Sequence, residues 1–343
     1  MVVFADENIA QDAHRDYWLP LQKAAKVEND ASALIALRDA RLSWFDKMPR
    51  GSNHAHGFRP SDAGALLSER RGKIPEIQAD DLEIGVLASA MYRNGALIVR
   101  KLVSKSDASV VRDMIDRTLN SAAASGALGE DSKPVDQDRE AEWFCPPPAK
   151  ADRRAHLSFV KNTGSVETFM SPRTSNHLLT LYDQLGLRSL MSAYFSDDVC
   201  VSFNKSVLRR VAPLQSPADW HQDGAFMSPN IKSLNVWLAL TPCGEGKDAP
   251  GLDLVPQRLD EIVETGLNGA NFDWSVSAIT VRETFPDTPP VRPTFGVGDA
   301  IFFDHYNLHA TSFGPEFTEN RYAAETWFFA TNQCPENQNP VYW

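Results

Sequence analysis

Two textures of apolar and polar positions divide the chain. In the first, apolar residues recur every three or four positions. The pattern runs through "YWLPLQKAAKV" (17–27), "DASALIALRDARLSWF" (30–45) and "DDLEIGVLASAMYRNG" (80–95), and it predicts amphipathic helices. In the third of these Ile84, Leu87 and Met91 share a side, and Asn94-Gly95 supplies a C-terminal stop. "ALIVR" (96–100) reads as a short strand. "SKSDASVVRDMIDRTLNSA" (104–122) opens on capping residues and carries Val111, Met114, Ile115 and Leu119 on one stripe. "TSNHLLTLYDQLGLRSLMSAYF" (174–195) is helical with a break near Gly186.

From about residue 199 the texture becomes extended. "VCVSFNKSVLRRV", "SLNVWLALT", "GLDLV", "SAITVRE", "DAIFFDH" and "RYAAETWFFA" are short β-rich runs separated by turn residues. No βαβ alternation intervenes, so the expected core is a double-sheet jelly roll or barrel and not a doubly wound sheet. Between the textures, residues 123–156 form a long polar excursion containing "CPPPAK". Residues 48–64, "MPRGSNHAHGFRPSDAG", are broken by Pro and Gly. His54 and His56 lie in that turn-rich stretch, and without a third ligand nearby they read as a solvated loop.

Composition narrows the function classes. At 43% hydrophobic and 23% charged, the 343 residues suit a globular chain. The net charge of −11 makes nucleic acid a poor partner and leaves room for a local basic pocket that takes a small anion. Four cysteines, 145, 200, 243 and 334, stand far apart without CxxC spacing, which suits a reducing compartment. The N-terminus has no basic-then-apolar leader pattern, and no apolar window is long enough to span a bilayer. The expectation is a cytoplasmic protein with no membrane partner; the sequence does not indicate an oligomeric state.

The chemistry concentrates around "DWHQDGAF" (219–226). His221 and Asp223 are two apart, so on an extended backbone they point the same way, toward a metal or merely into a surface turn. A third ligand must come from elsewhere. His305 and His309 fall in the late strand region, and His305 follows the strand core directly, as a hydrogen-bonded strand-end histidine would. His309 with His221 and Asp223 makes the two-histidine, one-carboxylate facial set that leaves positions open on iron. Twelve residues on, Arg321 heads a strand on which Ala323, Glu325 and Trp327 share its face. An inward arginine needs an anion: a bound dicarboxylate, or Glu325.

From about residue 84 to 330 the sequence resembles the phytanoyl-CoA dioxygenase-like family of Fe(II)/2-oxoglutarate oxygenases. The matching stretches are "YRNGALIVRKLVSKSDASVV", "WHQDGAF", "LNVWLAL", "GLDLVP" and "GDAIFFDHYNLHATS…R". The resemblance implies an α+β fold, with a double-stranded β-helix (jelly-roll, cupin-like) core, helices packed on one sheet and an N-terminal helical extension. The implied division is 1–80 for the extension and 81–343 for the oxygenase domain. It implies iron on His221, Asp223 and His309, and the distal 2-oxoglutarate carboxylate on Arg321. Thr311 matches a hydroxyl donor to that carboxylate, and Trp237 a strand position lining the pocket. Asn204, with Ser206, Leu208 and Arg210 on its face, is the candidate for the proximal keto-acid end or the substrate, and Arg210 is a further one. Phe226 and Met227 are candidate substrate contacts or ordinary core. The implied cofactors are Fe(II), 2-oxoglutarate and O2, with ascorbate as reductant in vitro. The implied reaction is hydroxylation of an unactivated C–H bond of an acyl or natural-product type molecule, with release of succinate and CO2. A keto-acid-independent or silent β-helix binding protein is the alternative. The chain departs from the family in two places: Pro256-Gln257-Arg258-Leu259 stands where Pro-Gly-Ser-His is common, and residues 1 to about 80 lie outside the resemblance.

Overall fold

The computed structural model describes residues 18–27, 30–46, 72–125, 140–147, 164–335 and 337–343. The 48–64 stretch, with His54 and His56, and much of the 123–156 excursion lie outside them. No helix among the described residues is long and apolar enough to cross a membrane.

In chain order the structure begins with helices α1 (Leu19–Val27) and α2 (Ala31–Ser43) and strand β1 (Glu76–Gln78). Then come α3 (Ile84–Asn94), β2 (Ala96–Arg100), α4 (Lys105–Ala124), β3 (Ser165–Glu167), α5 (Pro172–Gln184) and α6 (Leu187–Phe195). The β-rich part holds β4 (Val199–Ser202), β5 (Val207–Val211), the single-turn α7 (Gly224–Met227), β6 (Ser233–Ala239), β7 (Cys243–Gly244) and β8 (Leu252–Leu254). It ends with α8 (Ala278–Thr284), β9 (Thr294–Phe295), β10 (Ala300–Phe303), β11 (His309–Thr311), β12 (Arg321–Ala330) and β13 (Pro340–Tyr342).

Local chemistry sets the helix ends. Ser104 caps α4 by accepting the Asp107 N–H, and Ser171 caps α5 by accepting that of Thr174. Gly95 ends α3 with φ 72°, and Gly186 separates α5 from α6 at the same φ, a conformation that costs a side-chain-bearing residue energy. Ile84 departs from the expected stripe: it opens α3 at 40% exposure, while Leu87 and Met91 are buried.

The main sheet runs β1-β2-β10-β6-β12-β4-β13, with β5 pairing the first half of β12 and β3 pairing β5. All of these pairings are antiparallel except β1 with β2. Its two faces are chemically distinct. Leu234, Val236, Leu238 and Leu240 join the helices' core with Leu87, Val111, Ile115 and Tyr182, each such side chain contributing about 1.5–3 kcal/mol by burial. The alternate residues Trp237 and Ala239 turn the other way and meet Ile301, Phe303, Ala323 and Trp327. Over that inner face lies a second layer of short pieces. β11 pairs with β8, His221 bridges to His309, Trp220 to Val276 and Leu254 to Val291. A helix-backed sheet facing a smaller one is the expected jelly roll, in an α+β fold.

Two local expectations are corrected. "SAITVRE" is helix α8, because Ser277 accepts the Thr280 N–H and starts a helical turn. "VCVSFNKSVLRRV" is two strands, β4 and β5, interrupted at 203–206. At the N-terminal side, Arg38 of α2 is buried and donates to the carbonyls of Cys145 and Phe169, the latter at 3.2 Å. Trp18 stacks on Tyr342 of β13 at 5.3 Å.

Candidate metal centre

The HxD arm is held by the second layer. The His221 N–H donates to the His309 carbonyl at 2.9 Å and the His309 N–H returns to His221 at 3.0 Å, which brings the ring centroids to 4.4 Å. The chain then turns at Asp223 into α7, whose first N–H, from Gly224, donates to the His305 carbonyl at 2.9 Å. Only glycine fits at 224, since a Cβ there would lie 2.8 Å from His305 Cδ2 and 3.1 Å from its carbonyl oxygen. This contact fixes where the arm sets the Asp223 carboxylate.

One ligand atom from each of His221, Asp223 and His309 lies within 4.8 Å of the others. His309 Nδ1 sits 3.0 Å from the Asn307 carbonyl, which can only accept, so Nδ1 carries a proton and Nε2 is the ring nitrogen that faces Asp223. That Nε2 is 3.8 Å from Asp223 Oδ2, a buried oxygen with no hydrogen-bond partner. Burial, then the neighbouring His309, hold the His221 imidazole well below its ordinary pKa, so it is neutral. Burial also pushes the Asp223 carboxyl up. The neutral His221 imidazole, the His309 ring and an orphaned carboxylate oxygen are donor types that suit a divalent transition metal.

The three residues line a cavity of about 440 Å³. Trp237, Thr311 and Arg321, all expected there, line it too. Arg321, 2% exposed, donates Nη1 to the Gly251 carbonyl at 3.0 Å and lies over the Trp237 ring at 5.4 Å. Its Nε has no partner, and among the described residues no carboxylate lies within 4.0 Å of it. Burial, then the nearby Arg209, lower its pKa to about 10. Glu325 is not its partner. That carboxylate binds Arg209, Nε at 2.7 Å and Nη2 at 2.5 Å. Burial alone would raise Glu325, but the Arg209 guanidinium brings it below the ordinary range.

Asn204 is not brought into this cavity. Its Oδ1 accepts the Asn339 N–H at 2.8 Å, and Arg210 pairs with Asp116 at 2.7 Å outside it. Lys205 and Arg209 line the cavity instead. The turn between β4 and β5 breaks the two-residue count from Asn204, and the register that places Arg209 beside Ala323 selects the other parity. Phe226 lines the cavity, while Met227 is buried in the core. Trp274, from the connection between β8 and α8, also lines it and had no sequence signal. His305 stands apart from the cluster. Its Nε2 faces the Pro229 carbonyl at 3.1 Å, so Nδ1 accepts from the Ser233 hydroxyl at 2.8 Å. Arg258, in the segment that departs from Pro-Gly-Ser-His, is buried against Asp304 and bonds Asp260 at 2.9 Å.

A family model described as phytanoyl-CoA dioxygenase (PhyH) matches residues 91–313. No curated protein matches the chain by sequence. Among solved structures, EctD from S. alaskensis with 2-oxoglutarate and 5-hydroxyectoine is 14% identical, with 83% of this chain and 85% of that one covered at a TM-score of 0.49. The epimerase SnoN in complex with Fe3+, alpha ketoglutarate and nogalamycin RO is 12% identical, with 72% and 83% covered at 0.46.

Proposed function

Because the chain belongs to the phytanoyl-CoA dioxygenase family, we propose that it is an Fe(II)- and 2-oxoglutarate-dependent oxygenase that hydroxylates an unactivated C–H bond of a small molecule. The observation that carries this reading is Arg321, a buried guanidinium without a carboxylate, in the same cavity as the His221, Asp223 and His309 cluster. A buried cation with no anion is costly, and a dicarboxylate whose far end reaches it removes that cost.

His221, Asp223 and His309 would hold the iron, and Arg321 the distal carboxylate of the keto acid. When bound, iron and 2-oxoglutarate supply the oxygen chemistry, in which O2 is divided between succinate and the substrate and CO2 leaves. The chain's own residues do the rest. Thr311 would offer a hydroxyl to the same keto acid from the cavity lining, and the Trp237 ring face supports the guanidinium. Arg209 neutralises Glu325, so the other acid that lines the cavity among the described residues does not compete for Arg321. Leu252 and Phe303 add apolar surface to the cavity lining, which would limit water near the metal. The sequence and site assign no separate general base.

The test is succinate formation from 2-oxoglutarate with Fe(II), ascorbate and air, stimulated by members of a metabolite pool. The wild type should release succinate and His221→Ala should not. Equal release from both, or none from the wild type with any pool, would overturn the reading.

A further inference from the structure

We propose that Lys205 is a substrate anchor, and that the substrate is a small carboxylic acid with a flat apolar body. The proposal rests on the oxygenase reading above and adds the substrate class.

The cavity holds one cation more than the cofactors account for. Iron and Arg321 are balanced by Asp223 and a dianionic keto acid, and Arg209 is balanced by Glu325. Lys205 is left over. Among the described residues its acidic neighbour within 4.0 Å is Asp223, at 3.7 Å from Nζ. An Asp223 carboxylate that ligates a divalent ion spends its charge there, so Lys205 then faces a metal cation without an anion of its own. A substrate carboxylate restores the balance.

The surface beside Lys205 defines the rest of the molecule. Its Nζ lies 3.8 Å above the Phe226 ring. Phe226 meets Trp274 edge-on at 5.3 Å, and Trp274 stacks on Phe272 at 4.8 Å with ring planes 4° apart. Phe272 is 55% and Trp274 37% exposed, an open aromatic wall that runs inward to His221, 5.9 Å from Trp274. The wall is tied to the metal arm. Asp219, two residues before His221, accepts from Asn271 Nδ2 at 2.8 Å, from the Asn271 N–H at 2.5 Å and from the Ser275 hydroxyl at 2.5 Å. Aromatic faces favour flat apolar bodies, and a cavity of about 440 Å³ that also receives the keto acid admits only a small one.

The experiment uses the full chain with Fe(II) and 2-oxoglutarate under nitrogen, and isothermal titration with two probes, 2-naphthoate and its neutral counterpart 2-naphthamide. Iron-dependent 2-oxoglutarate binding is measured first, without probe; its absence in the wild type sinks the oxygenase reading itself. Given that binding, the wild type and Lys205→Arg should prefer naphthoate by about tenfold, or about 1.4 kcal/mol. Lys205→Met should erase the preference while keeping 2-oxoglutarate affinity, and Trp274→Ala should weaken both probes together. Lys205→Gln replaces the Met variant if that one does not fold. The proposal is overturned if the wild type binds neither probe at millimolar concentration, if it shows no preference, or if the preference survives in Lys205→Met. It is equally overturned if Lys205→Met loses 2-oxoglutarate, since the lysine then serves the keto acid.

Discussion

Arg321→Met removes a guanidinium with one hydrogen bond, to the Gly251 carbonyl, and a partnerless Nε. Truncating one partner of a buried ion pair usually costs about 3–5 kcal/mol, because the other charge is stranded. Here no carboxylate is stranded, so the loss is the single charged hydrogen bond, about 1.5–3 kcal/mol. Against it stands the burial penalty that lowers Arg321 from 12.5 to about 10, which corresponds to roughly 3 kcal/mol. The two nearly cancel, and methionine refills the space over Trp237. The ligand-free variant should therefore melt within about 3 °C of the wild type. Keto-acid binding should behave oppositely. Loss of a buried, forked carboxylate contact costs about 2–5 kcal/mol, a weakening of roughly 30-fold to several thousand-fold. The assay is thermal melting under nitrogen with Fe(II), across a 2-oxoglutarate titration, where wild-type stabilisation grows as the logarithm of ligand over Kd. Arg321→Lys, which keeps the charge without the fork, should fall between. A variant that melts far below the wild type when ligand-free, yet keeps the full 2-oxoglutarate response, would refute the reasoning.

Asp223→Asn should weaken Fe(II) or Mn(II) binding by more than the roughly 10–100-fold that outer contacts cost. Calorimetry checks this, and the metal-free protein should lose no more than the loose 3.7 Å contact of Oδ1 with Lys205, because Oδ2 is buried without a partner. Gly224→Ala should destabilise by about 1–3 kcal/mol in denaturant unfolding and weaken metal binding as well, since the new Cβ meets His305 at 2.8 Å and either His305 or the Asp223 arm must shift. Burial lowers the pKa of His305, so the unfolded chain binds its proton more readily than the fold does. Its stabilisation is complete above the unfolded value of about 6.5 and is lost as pH falls toward the lower folded value. His305→Gln should accordingly flatten the decline in melting temperature below pH about 6.5; an unchanged slope would show that His305 does not titrate there.

What the sequence made legible was whatever is decided within a few residues. Ser104, Gly95 and Gly186 end helices through their own backbone and side-chain preferences, and the alternation in β6 sorted its two faces correctly. Where two local signals competed, the reading failed. "SAITVRE" alternates like a strand, but the Ser277 cap prevails. The closeness of His221 and Asp223 was legible from their spacing, although the chain turns helical at Asp223 and does not stay extended, whereas the approach of His309 depends on a bridge across the second layer that no periodicity encodes. Asn204 and Arg210 were misplaced for the same reason. "FNKS" interrupts the strand, and Arg209 and Arg210 offer both parities, so only the pairing with β12 decides which arginine faces inward. The partner of Glu325 follows from that decision.

The inner face of β12 and β5 is where the fold gives up stability. Arg209, Arg321, Glu325, Lys205 and Asp223 share one cavity with Trp237 and Phe303, while the helix-backed face of the same sheet is aliphatic. A chain selected for stability alone would fill both faces alike, since apolar replacement of buried charges is often neutral or favourable. Two of the five charges satisfy each other, Arg209 and Glu325; Asp223 and Lys205 meet at a loose 3.7 Å; Arg321 has a single carbonyl. Charges left in that state are stabilised mainly by what binds them. The cavity is net positive although the chain carries −11, and at physiological salt the surface charge is screened beyond about 8 Å. Anions that reach the mouth therefore respond to the lysine and arginine within, and the order of filling follows. On the proposed reading the metal would take Asp223 and the keto acid Arg321, and each step would leave Lys205 more in need of a carboxylate than before.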